Sequence, residues 1–131
     1  MDDELQKIRE EKMESMTTEG QSATDSPDEP IHVDGGDHLR ELAGTHDLVL
    51  VDFYADWCGP CKMLAPVVER LAADSPAAVA KVDVDANQQL AGQYQVRGVP
   101  TVVLFADGEP VERFSGVRGE EELRGLIDQY A

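Results

Sequence analysis

The chain predicts an α/β domain built on a central mixed β-sheet of about five strands flanked by about four helices. Three features carry that reading. Leu48-Val49-Leu50-Val51-Asp52-Phe53-Tyr54 is an almost continuous apolar run, as a central strand covered on both faces requires. Strand and helix signals alternate from Ile31 onward, which calls for parallel strands joined by helical crossovers. Near the end, Thr101 to Phe105 and Val111 to Phe114 flank Ala106-Asp107-Gly108-Glu109-Pro110, the pattern of an antiparallel hairpin.

In chain order, Ile31 to Val33 is a short strand, Asp34-Gly35-Gly36 turns it, and Asp37 to Ala43 is a short helix. After the central run a helix extends from about Cys58 to Ala73, with Met63, Leu64, Val67, Val68 and Leu71 supplying its inward face and Pro66 kinking its interior. Ser75-Pro76 breaks the chain before a second buried strand, Val79 to Val84, and Asn87 to Tyr94 is the next helix. Glu120 to Tyr130 closes the chain as an amphipathic helix with acids in its first turn, where they complement the macrodipole, and Leu123, Leu126 and Ile127 facing in. Arg118-Gly119 stands where a Ser or Thr N-cap is common; glycine caps acceptably at a small cost in stability. The resulting order is β-α-β-α-β-α-β-β-α.

A length of 131 residues suits one domain with a real core. The formal charge of −16 argues against a nucleic-acid partner, since a phosphate backbone would be repelled. No apolar run approaches a membrane span, and the N-terminus is acidic where a secretory signal would be basic and then apolar, so the expectation is a soluble, cytoplasmic protein. A monomer is a separate expectation that rests on neither feature. The acidity is spread along the chain: residues 1–30 carry ten acids and three bases, and residues 31–131 carry seventeen and eight. A domain this acidic fits a salt-rich, halophilic cytoplasm in which self-repulsion is screened over about 3 Å at 1 M.

Residues 1–30 form an acidic N-terminal extension before a domain at 31–131. Within the extension, Asp2 to Met16 could make one charged helix with a thin apolar stripe, whereas Thr17 to Pro30 is polar and linker-like. A disordered tail and a partner-docking helix are both open for it.

Chemistry concentrates in Ala55-Asp56-Trp57-Cys58-Gly59-Pro60-Cys61-Lys62, which holds the only two cysteines. In a chain of this kind such a pair is metal-binding or redox-active. It lies where the apolar run gives way to a helical pattern, so Cys58 meets the unpaired N–H groups of a helix N-terminus, which favour thiolate over thiol. Pro60 loses no hydrogen bond there, because its missing N–H would have been an orphan. Asp52, inside the apolar run, is either a desolvated carboxyl with a raised pKa or a strand-edge carboxylate turned to solvent.

From Ile31 to Ala131 the chain resembles the thioredoxin family. Trp57-Cys58-Gly59-Pro60-Cys61-Lys62 matches that family's active-site motif in full, with Pro66, Gly98-Val99-Pro100-Thr101, Gly108 and Gly116 at its other marked positions. Tyr54, where tryptophan is frequent, is a departure, and residues 1–30 lie outside the resemblance. The resemblance implies the thioredoxin fold and a protein-disulfide reductase. Cys58 would be the nucleophile and Cys61 the resolving thiol, the two forming a reversible disulfide with no bound cofactor. It makes Asp52 the buried proton acceptor and donor for Cys61, tuned by Lys81. A cis bond at Pro100 is implied as well, with Trp57, Gly59, Pro60, Val99, Pro100 and Gly116 forming a flat contact surface for substrates.

Implied partners are disulfide-containing target proteins and a thioredoxin reductase. A dedicated redox partner docked through the extension is one alternative, and a non-catalytic binding module of the same fold is another. A metal reading fails on ligand count, because His32, His38 and His46 lie upstream at spacings that match no finger pattern and are expected at the surface.

Overall fold

A computed structural model describes residues 27–131. Its elements run β1 (Ile31–His32), α1 (Gly35–Thr45), β2 (Leu48–Tyr54), α2 (Gly59–Asp74), β3 (Ala78–Asp83), α3 (Gln88–Gln93), β4 (Thr101–Ala106), β5 (Glu109–Ser115) and α4 (Glu120–Tyr130). The helix expected over Asp2 to Met16 lies outside the described residues.

The five strands form one sheet in the order β1-β3-β2-β4-β5. β3 pairs in parallel with both β1 and β2, while β4 runs antiparallel to β2 and β5. β2 therefore has a neighbour on each side along its length, which is why its sequence is nearly all apolar. The period of two splits its residues between two cores. Val49, Val51 and Phe53 meet Leu39 and Ala43 of α1 and Leu90 of α3. Leu48 and Leu50 meet Leu64, Val68 and Leu71 of α2 and Leu123 and Ile127 of α4. Asp52 continues the second set and so points to the α2 side.

Four expectations are corrected. Met63 is 67 % exposed and does not face in. The inward stripe of α2 is Cys61, Leu64, Val68 and Leu71, and a residue next to Leu64 in sequence is turned about 100° away from it. The hairpin connection is two residues, Asp107 and Gly108, with φ of 52° and 87°. Two successive left-handed residues match the twist of the flanking strands, so β4 and β5 extend up to the turn. A register shift between Leu104 and Phe105 then gives β5 one extra residue, since Leu104 faces Glu112 and Phe105 faces Pro110.

The third correction concerns the histidines. His32 is exposed, but His38 and His46 are half-buried; the backbone N–H of Asp34 donates to His38 Nδ1 at 2.9 Å. α1 also begins earlier than expected, at Gly35, whose N–H donates to the side chain of Asn87 at 2.9 Å and whose φ of +88° suits glycine.

Candidate active site

The site lies where β2 hands over to α2. Cys58 is the N-cap of α2 in an extended conformation, and Cys61 N–H donates to Cys58 Sγ at 3.1 Å. A sulfur in the N-cap position accepts one of the helix's orphan N–H groups, an arrangement that stabilises negative charge on it. Cys58 and Cys61 are joined as a disulfide, with Cα atoms 5.3 Å apart. Both are buried against Ala55, Tyr54, Val84 and Val99.

A second loop closes on the sulfur. Val99 O lies 3.7 Å from Cys58 Sγ, and the Val99–Pro100 peptide is cis. The loop is tied at both ends: Thr101 Oγ1 donates to Gly98 O at 2.7 Å, and Gly116 N–H donates to Pro100 O at 2.8 Å. Gly116 adopts φ of +92°, which a side chain would strain. Pro100 is buried, whereas Val99 and Gly116 are half-buried and Gly59 and Pro60 exposed. Trp57 stands 70 % exposed beside them, and its Nε1–H donates to Asp85 Oδ2 at 2.9 Å.

On β2, Asp52 is fully buried and neither carboxyl oxygen has a hydrogen-bond partner among the described residues. Burial raises its pKa from 3.8 to about 6, against the pull of Lys81. Asp52 faces Lys81 across the parallel β2–β3 pair and Val102 across β2–β4. Lys81 is half-buried, with Nζ 4.5 Å from the centre of the Tyr54 ring. Asp52 shares a sheet face with Leu48 and Leu50, and Cys61 shares the inward stripe of α2 with Leu64 and Val68, so both project into one interlayer.

The sequence-predicted residues thus fall in two groups. Trp57, Cys58, Gly59, Pro60, Cys61, Val99, Pro100 and Gly116 belong to the disulfide and the loop beside it, and Asp52 and Lys81 face each other across β2 and β3. Asp85 was not foreseen. It hydrogen-bonds Trp57 from 28 residues away, and only its place just beyond the carboxyl end of a predicted strand hinted at such a contact. Among the described residues no cluster of three or more His, Cys, Asp or Glu side chains could hold a metal ion.

An α/β sheet that presents a helix-capping cysteine pair beside a cis-proline loop defines a dithiol–disulfide oxidoreductase. Residues 29–129 match the thioredoxin family. The chain is 50 % identical over 84 residues to a thioredoxin of Chlamydia trachomatis, covering 63 % of this chain and 82 % of the relative. It is 48 % identical over 83 residues to one of Staphylococcus aureus, covering 62 % and 80 %. The solved structure of an N21Q mutant thioredoxin from Halobacterium salinarum superposes with a TM-score of 0.79 at 60 % identity, covering 82 % of this chain and 95 % of that one. The chain belongs to the thioredoxin family. It is a protein-disulfide oxidoreductase that works through its Cys58–Cys61 disulfide.

Proposed function

We propose that the chain is a general reductant of protein disulfides in the cytoplasm, acting as a monomer and recharged by a thioredoxin reductase. The observation that carries this reading is the Cys61 N–H held on Cys58 Sγ at the start of α2, with Val99 O beside the same sulfur. In the reduced protein that donor favours a Cys58 thiolate. The thiolate attacks one sulfur of a target disulfide, forming a mixed disulfide and releasing the other target sulfur as a thiolate. Cys61 gives its proton to Asp52 and attacks Cys58 Sγ. The Cys58–Cys61 bond forms, the second target sulfur leaves, and two electrons have passed to the target. A reductase returns two electrons, and Asp52 hands its proton back to Cys61, which restores the Cys58 thiolate, the Cys61 thiol and the Asp52 carboxylate.

Asp52 suits the proton's destination because burial lets its carboxyl take up a proton near neutral pH, and Lys81 keeps its pKa from rising further. Val99 supplies backbone groups to an extended target segment, while Trp57, Gly59, Pro60 and Gly116 supply a surface without strong side-chain preference, which supports a broad target range. No helix among the described residues is long and apolar enough to cross a membrane.

The test is a trap in the full chain. Reduced Cys61→Ser, mixed with insulin as the disulfide protein, should accumulate a covalent adduct that dithiothreitol releases, and Cys58→Ser should form none. An adduct on Cys58→Ser, or none on Cys61→Ser, would overturn the assignment of roles.

A further inference from the structure

The domain over residues 31–131 holds eight cations against seventeen carboxylates, so an arginine or lysine in it has no shortage of internal partners. Six of the eight are engaged. Arg70 and Arg124 pair with Glu120, Arg118 with Glu122 and Arg40 with Asp37. Arg113 donates to the carbonyls of Tyr94 and Gln95, and Lys81 lies over the Tyr54 ring.

Lys62 and Arg97 are the other two. Both are exposed and neither has a hydrogen bond, ion pair or ring contact among the described residues. They lie on the two segments that form the active site, the start of α2 and the loop before Pro100. Lys62 follows Cys61 in the first turn of α2, and Arg97 comes two residues before Val99, whose carbonyl touches Cys58 Sγ. The acidic side of the same site is already occupied in part, since Asp85 holds Trp57.

We infer that Lys62 and Arg97 contact carboxylates flanking a target disulfide, so that within a broad target range acidic protein segments are reduced fastest. This rests on the reductase reading above. In dilute buffer the negative charge of the whole domain opposes such a partner over long range. At about 1 M salt the screening length falls to about 3 Å, so the long-range repulsion vanishes while pairs in contact persist in weakened form. The selectivity of the two cations is therefore read in concentrated salt.

The experiment uses the prereduced full chain in molar KCl and two cyclic disulfide peptides, identical except for glutamates in one and lysines in the other beside the disulfide. Trp57, the only tryptophan, reports oxidation of its neighbour Cys58 in a single turnover. The second-order rate constant should be about three- to tenfold larger for the glutamate peptide, the combined effect of two exposed ion pairs. Lys62→Glu with Arg97→Glu should invert the ratio. Equal rates in the wild type overturn the inference, including the case in which the chain's own acidic residues 1–26 cover the two cations. A wild-type preference for the lysine peptide, or a ratio that the double variant retains, overturns it too. Failure to reduce either peptide would instead overturn the reductase reading.

Discussion

Asp52 on β2 stands in register with Lys81 on β3, a buried carboxyl beside a half-buried ammonium, and burial outweighs the attraction. With its pKa at about 6 in the native state against 3.8 ordinarily, the native protein holds this proton more tightly than the unfolded chain does. As pH rises from 4 to 6 the unfolded chain therefore releases the proton first, native stability falls, and above 6 the loss is complete. The shift is worth about 3 kcal/mol. Asp52→Asn cannot ionise, so denaturant curves should show its stability relative to wild type improving by that amount between about pH 4 and pH 8. The same variant should slow the resolving step about 100-fold and remove the rise in its rate through pH 6, because a proton acceptor must first be ionised.

Two glycines predict opposite effects of one substitution. Gly108 holds φ of +87° in the hairpin turn, so Gly108→Ala should cost about 1–2 kcal/mol. Gly44, in the exposed part of α1 with nothing near its missing Cβ, should gain about 0.5–1 kcal/mol as alanine. Urea denaturation of the two variants checks the pair, and a shared sign would contradict it.

The charge of −16 sets the response to salt. Self-repulsion weakens the native state most where the screening length is long, so the thermal midpoint should climb from dilute buffer to molar KCl. Equal midpoints would remove the case for a protein adapted to concentrated salt.

Much of this architecture is visible in local sequence because its strongest signals are local. The run Leu48 to Tyr54 is apolar throughout since β2 is flanked by strands and covered on both faces, and α4 begins and ends at Glu120 and Tyr130 as its periodicity predicts. The cysteine pair is legible for a similar reason: its chemistry depends on the first turn of the helix that contains it. Met63 misled because residue type suggests burial while angular position decides it. The connection of the hairpin is shorter than its sequence suggests, because Ala106 and Glu109 carry no sign that Asp107 and Gly108 alone reverse the chain. The bond from Trp57 to Asp85 joins separate segments, and nothing local to either residue encodes it.

Both borders of the sheet are poor templates. β1 is only two residues long, and β5 carries Pro110, which has no N–H to offer, among the charged side chains of Glu109, Glu112 and Arg113. Among the described residues, a newcomer strand meets only two residues on one side and, on the other, a strand interrupted by proline and studded with charge. Wherever concentrated salt screens the charge repulsion between molecules, such blunt borders disfavour fibrous self-assembly.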